Sequence, residues 1–247
     1  MKKILIFLLF AMASAPLSML AQQVDATAYY TNDDGDEMES KNINDAQAPL
    51  TVVFRANPSD MDDYSPSYEW HFMKTGTKDG TRELFVRYEE DTEYTFTESG
   101  TFNVILKTQL EPDGAVLDDQ TIIVTIPESR LEFPNAFSPN DDGINDYYAA
   151  KGAKINYKDG GSSSASDGYK SIVSFRAIIV NRWGQKLYEW TDIDGGWDGK
   201  YNGTPVKDGV YFVQVTAKGA DGKNYHIRKD VNLLRGYSEE RGNTQNP

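Results

Sequence analysis

Between Leu50 and Leu233 the apolar residues recur at every second position, in short runs that each stop at glycine, proline, asparagine or aspartate. A side-chain period of two belongs to a strand with one face buried. No long stretch sustains the i, i+3, i+4 spacing by which a helix buries a stripe. Leu50, Val52 and Phe54 make one run, followed by Tyr68, Trp70 and Phe72, then Leu84, Val86 and Tyr88, then Tyr94 and Phe96. Phe102, Val104 and Leu106 form the next, and Ile122, Val124 and Ile126 close the first set. Turn chemistry separates them at Asn57-Pro58, Lys78-Asp79-Gly80, Ser99-Gly100 and Pro112-Asp113-Gly114.

A second set follows. Ile172–Val180 is apolar on both faces, as suits a strand with neighbours on either side. Lys186–Trp190 returns beyond the turn Asn181-Arg182-Trp183-Gly184, and Tyr211, Val213, Val215 and Ala217 share one face. After the hairpin signal Asp221-Gly222, Tyr225, Ile227, Lys229, Val231 and Leu233 alternate cleanly. The pattern predicts an all-β chain of two immunoglobulin-like β-sandwich domains in tandem, at 22–130 and 131–236, with a polar tail at 237–247. Residues 22–47 read as a polar leader or a first edge strand, and Lys151–Lys170 as a glycine- and serine-rich insertion.

Met1-Lys2-Lys3 followed by the apolar run Ile4–Ala13 and by Ser14, Ala15, Pro16 and Ser18 reads as a cleaved signal peptide, residues 1–21, with cleavage after Ala21. It is too short to span a bilayer stably, and no later apolar stretch is long enough, so no transmembrane segment is expected in the mature chain. The absence of cysteine excludes disulfides and a lipid-modified N-terminus. Residues 22–130 hold 23 acidic and 8 basic side chains, net −15, whereas residues 131–247 hold 15 of each. So acidic a first half argues against a nucleic-acid partner, because phosphate binding needs cationic surface.

Catalytic patterns are missing. His71 and His226 lie in alternating runs of different halves, and the serine-rich stretch Gly160–Ser166 lacks a Gly-x-Ser-x-Gly elbow. No nucleophile, base and orienting group form a constellation, and the reading is a non-enzymatic chain without a cofactor. Metal binding has two candidates, the cluster Asp33-Asp34-Gly35-Asp36-Glu37 and the stretch Phe133–Tyr148. Placing Gly143 at the invariant glycine of an EF-hand puts Ala149 where the bidentate glutamate belongs, so the second is no EF-hand. Asp141, Asp142 and Asp146 are the residues that a looser calcium site there would use.

Two resemblances follow from these residues. Tyr68-Glu69-Trp70-His71-Phe72 and Tyr94–Val104 resemble the aromatic-tryptophan strand and the turn-glycine strand pair of the PKD family of surface modules, although His71-Phe72-Met73-Lys74 replaces that family's usual run after the tryptophan. In the second half, Pro134-Asn135-Ala136-Phe137-Ser138-Pro139-Asn140, Asp142-Gly143 and Asn145-Asp146 are followed in order by Asn181-Arg182-Trp183-Gly184-Gln185, Trp197-Asp198-Gly199, Asn202-Gly203 and Asp208-Gly209-Val210-Tyr211. This set resembles the type B C-terminal sorting domain of the Bacteroidetes type IX secretion system, also called the gliding-motility-associated C-terminal domain.

The resemblance implies export to the periplasm and then delivery to the outer membrane, cell surface or medium. It also implies recognition by the type IX translocon and a partner outer-membrane barrel protein. The residues it marks for recognition are Asn135, Phe137, Ser138, Pro139, Asn140, Asp142, Gly143, Asn145, Asp146, Arg182, Trp183, Gly184, Trp197, Asp198, Gly199, Asp208, Gly209 and Tyr211. Because only one small PKD-like module precedes the domain, the chain is similar to PorA-like sorting-domain proteins. That likeness implies a component or regulator of the secretion system that relays to a two-component sensor. The alternative is a small surface adhesin or glycan-binding protein, with ligand-binding aromatics at Tyr29 and Tyr30 or among Tyr64, Tyr68 and Phe72.

Overall fold

The computed structural model describes residues 22–44, 46–155 and 168–236, so the expected signal peptide, the polar tail and most of the glycine-serine insertion lie outside the described residues. The described residues contain strands and turns and no helix, and hence no helix long and apolar enough to cross a membrane. The first half holds β1 (Gln23–Val24), β2 (Thr27–Thr31), β3 (Glu37–Ser40), β4 (Asn42–Ile43), β5 (Leu50–Arg55) and β6 (Pro58–Ser59). It continues with β7 (Ser65–Thr77), β8 (Gly80–Arg87), β9 (Asp91–Phe96), β10 (Gly100–Glu111), β11 (Ala115–Val116) and β12 (Gln120–Ile126). The second half holds β13 (Ala136–Phe137), β14 (Tyr148–Ala149), β15 (Ile172–Val180), β16 (Lys186–Trp190) and β17 (Gly196–Trp197). Its last strands are β18 (Lys200–Tyr201), β19 (Thr204–Pro205), β20 (Gly209–Gly219) and β21 (Asn224–Leu233).

Two sheets face each other in the first half, one in the order β3-β2-β5-β9 and the other in the order β4-β12-β10-β7-β8. The alternating apolar sets turn inward from both, and Phe54, Trp70, Phe72 and Phe96 are fully buried between them. Phe54 meets Trp70, Phe72 and Phe96 with ring centroids 5.9, 5.5 and 6.4 Å apart, the tilted and edge-on spacings aromatic quadrupoles favour. The Trp70 indole N–H donates to the Glu89 and Glu90 carbonyls at 3.1 and 3.2 Å. Its polar atom is thereby satisfied where water is excluded.

Residues 22–47 are not a leader. β2 lies inside its sheet between β3 and β5, and Ala26, Ala28 and Tyr30 belong to the core. The acidic cluster is the tip of the β2–β3 hairpin. There the Asn32 side-chain oxygen accepts the Asp34 and Asp36 amides at 3.0 and 2.8 Å, so Asn32 shapes a turn. The aromatics expected to bind a ligand are mostly interior: Tyr30, Tyr68 and Phe72 are buried, which removes them from any surface platform.

The second half is built on one five-stranded sheet in the order β13-β21-β20-β15-β16. Two short ribbons, β14–β17 and β18–β19, accompany it, and the first of them packs Tyr148 and Trp197 into the core. Phe137, Tyr148, Phe175, Trp190 and Trp197 dominate the core between them. The two halves also touch. Ala220, at the β20–β21 turn, is buried in the first half's core cluster, and its carbonyl accepts the Ser99 amide at 3.0 Å. Fully buried Ser171 takes the Ala48 amide on its hydroxyl at 3.3 Å and donates its own amide to the Gln47 side chain at 2.9 Å.

Candidate functional site

Strand register decides where the motifs of the second half end up. Ile172 pairs with Gly219, and Lys218 with Asn224, at the end that meets the first half. Val180 pairs with Phe212, and Gly209 with Leu233, at the opposite end. With β15 nine residues long, those ends stand roughly 25–30 Å apart. The Asn181–Gly184 turn follows Val180, Asp208 precedes Gly209, and Phe137 pairs with Leu233, so Ser138 and Pro139 leave at the same end. Motifs scattered over about seventy residues of chain, from Ser138 to Gly209, therefore converge on the distal end.

The turn Asn181-Arg182-Trp183-Gly184-Gln185 is fixed by its first residue. The Asn181 side-chain oxygen accepts the Trp183 and Gln185 amides at 2.9 and 3.0 Å, and the Asn181 carbonyl accepts the Gly184 amide at 2.9 Å. Gly184 sits at φ +80°, the left-handed position that closes a hairpin of this length and that a β-carbon would strain. With the backbone held, Arg182 and Trp183 project outward. The Trp183 side chain is 79% exposed, and the Arg182 guanidinium lies 4.9 Å from its ring centroid. Val210, Phe212 and Leu234 are also exposed at this end of the sheet.

Trp197 has the opposite fate. It is fully buried, its ring packs 5.3 Å from Phe137 and 5.2 Å from Tyr211, and its indole N–H donates to the Lys200 carbonyl at 2.8 Å. Asp198 caps its own turn, accepting the Lys200 amide at 3.0 Å and pairing with the Lys200 ammonium at 3.0 Å; that pairing raises the lysine's pKa. Asn202 and Gly203 both have positive φ, +50° and +77°, the two-residue hairpin turn that this dipeptide favours. Half-buried Tyr211 donates its hydroxyl to the Lys207 carbonyl at 2.6 Å.

The loop Ser138–Asp146 closes on itself. Asp146 is buried, and its carboxylate accepts three backbone amides: Asn140 at 3.0 Å and Asp141 at 2.7 Å on one oxygen, Gly143 at 2.8 Å on the other. Asp142 accepts the Ile144 amide at 2.8 Å and the Asn140 side-chain amide at 2.8 Å. The Ser138 amide donates to the Asn145 carbonyl at 2.9 Å, tying the loop's ends. Asp141, Gly143 and Asn145 all have positive φ. Converging N–H dipoles form a nest for an anion, and here the anion is the Asp146 side chain itself. The structure does not bring Asp141, Asp142 and Asp146 together around one point. Among the described residues no group of three or more histidine, cysteine or acidic side chains could hold a metal.

Asn135 serves the sheet. Its carbonyl accepts the Asn232 amide at 2.9 Å, and its side-chain oxygen accepts the Lys229 ammonium. Phe137, Ser138, Asp146, Trp197 and Gly199 are buried, Tyr211 is half-buried, and Arg182, Trp183, Gly184, Asp208 and Gly209 are exposed. Sequence reading missed Arg235. Its guanidinium donates to the Gly199 carbonyl at 2.9 Å, to the Val206 carbonyl and to the Asp208 carboxylate at 3.3 Å.

Residues 131–228 match the family model of the CHU_C type IX secretion signal domain. The second half therefore resembles a type IX secretion signal domain over that segment. Such a domain marks the chain for the type IX secretion system and hence for export. No curated protein matches the chain in sequence. Among solved structures, a tetra-tandem repeat from the extending region of a large adhesion protein is similar at 11% identity, covering 87% of this chain and 68% of that one, with a TM-score of 0.25. The three fibronectin domains FN1–FN3 of chicken CNTN1 are similar at 10% identity, covering 85% and 89% of the two chains, with a TM-score of 0.22. The fold assignment rests on the strands and register themselves.

Proposed function

We propose that the distal end of the secretion signal domain is the surface read by the type IX translocon or its partner outer-membrane barrel protein, with Arg182 and Trp183 as the anchor. The observation that carries this reading is the exposed Trp183 indole, 79% open to solvent on a turn whose backbone is held by Asn181. A large aromatic costs solubility on a bare surface and contributes most when a partner buries it, and arginine and tryptophan dominate binding energetics at interfaces. Because the turn is already fixed, little entropy is lost on docking. The first half covers the proximal end, so cargo and reader approach from opposite sides.

For the chain as a whole we favour a non-enzymatic component or regulator of the secretion system over a ligand-binding adhesin. The burial of Tyr30, Tyr68 and Phe72 supports this choice, since an aromatic ligand platform would need them at the surface. In a bacterium with a type IX system, the double variant R182A/W183A should lose surface delivery, measured by protease access on intact cells, while its circular dichroism stays that of a β protein. Normal delivery would remove the anchor. Deleting the gene should impair export of unrelated type IX cargo; loss of attachment alone would favour the adhesin.

A further inference from the structure

We infer that Arg235 is the positioning residue of the distal end, locking two separate turns into the one arrangement a partner can read; this rests on the reading of that end as the recognised surface. Arg235 lies beyond the segment 131–228 that matches the family model, directly after the last strand. Its backbone amide donates to one Asp208 oxygen at 3.0 Å, and its guanidinium donates to the other at 3.3 Å. The same guanidinium reaches the Val206 carbonyl and, at 2.9 Å, the Gly199 carbonyl. One planar group thus ties Trp197-Asp198-Gly199 to Asp208-Gly209 through the end of β21.

The packing leaves this link little freedom. A β-carbon on Gly199 would stand 2.8 Å from Pro139, 3.0 Å from the Arg235 guanidinium and 3.2 Å from Leu233, and Gly199 itself has φ +73°. Pro139 belongs to the loop that Asp146 closes, so three motif segments meet over the Arg235 head group. Gly199 also accepts the Val206 amide at 3.0 Å, which makes that amide a reporter of whether the link holds. Lysine carries the same charge, but its three N–H donors sit on one nitrogen at the end of a flexible stem, so it does not span acceptors set as far apart as those met by the two terminal nitrogens of a planar guanidinium. Arg235 itself is not required to touch the partner.

The test compares full-length R235K and R182A/W183A with the parent chain, all assayed well below their melting midpoints. We expect R235K to retain its β-sheet circular dichroism, to exchange the Val206 amide at least tenfold faster, and to lose most surface delivery. Faster Val206 exchange with undiminished delivery would overturn the assignment. Lost delivery with Val206 exchange unchanged would overturn it as well, because Arg235 would then act by direct contact. If R182A/W183A is delivered normally, the distal reading itself fails; if only R235K is delivered normally, the anchor stands and the positioning role falls.

Discussion

Replacing Asp146 tests how the loop Ser138–Asp146 is held. Its carboxylate accepts the Asn140, Asp141 and Gly143 amides at 3.0, 2.7 and 2.8 Å, while Asp141, Gly143 and Asn145 hold φ values of +62°, +83° and +54°. A hydrogen bond to a charged group contributes about 1.5–3 kcal/mol net. The three do not add fully, because Asp141 is exposed and water can reach its amide once the carboxylate is gone. The two non-glycine residues in left-handed backbone would then relax, recovering about 1 kcal/mol each. We therefore expect D146A to lose roughly 2–4 kcal/mol, and D146N about half of that, since the amide keeps one acceptor oxygen but turns an N–H toward another N–H. Urea denaturation followed by circular dichroism, with amide exchange over residues 138–146, measures both. A D146A variant within about 0.5 kcal/mol of the parent would refute the cap, since that is the range of an ordinary surface change. The cap also predicts that millimolar calcium leaves the unfolding midpoint where it was; a rise would mean that these carboxylates bind the ion when folded.

Three further outcomes follow from the same contacts. Trp197→Ala should cost about 3–5 kcal/mol as a large core truncation, whereas Trp183→Ala should stay within about 0.5 kcal/mol; denaturant midpoints of the two variants decide. Ala220→Glu places a carboxylate in the first half's core cluster, costing about 2–3 kcal/mol, and calorimetry should show one transition splitting into two. Burial pushes Tyr68 up to about 12 and also raises Tyr94, Tyr148 and Tyr169. These neutral phenols contribute stability in full below an ordinary tyrosine pKa of about 10, and it is lost as pH climbs toward their folded values. Absorbance at the phenolate band should lag behind free tyrosine until the sheets melt.

Much of this was legible in the sequence because alternation and turn chemistry are local. Tyr225 to Leu233 and Phe102 to Leu106 lie on the strands their spacing predicts, and Asn181, Gly184, Asn202 and Gly203 make the turns their residue types favour. What depends on distant partners was not. Trp183 and Trp197 each stand beside a glycine-containing turn, but only Trp197 has a strand partner, Tyr148, far away in sequence. The first edge strand that residues 22–47 suggest is in fact a hairpin with β2 inside the sheet, which its acidic tip hides by separating the buried positions Ala26, Ala28 and Tyr30 from the rest of the pattern. Arg235 carries no local signal of its role, since its acceptors on Gly199, Val206 and Asp208 are brought together by the fold alone. Asp146 reads from sequence equally as a metal ligand, because an aspartate capping amides and one facing a cation can carry the same local sequence.

If the machinery grips the end of the secretion signal domain farthest from the first half, contact should concentrate at Trp183. A photo-crosslinking phenylalanine at position 183 keeps an aromatic side chain there; the same group at position 216, exposed on the outer face of β20 toward the proximal end, serves as the control. In exporting cells the account predicts that position 183 crosslinks to a translocon subunit or its barrel partner and position 216 does not. Export with efficient crosslinking from position 216 and none from position 183 would contradict it.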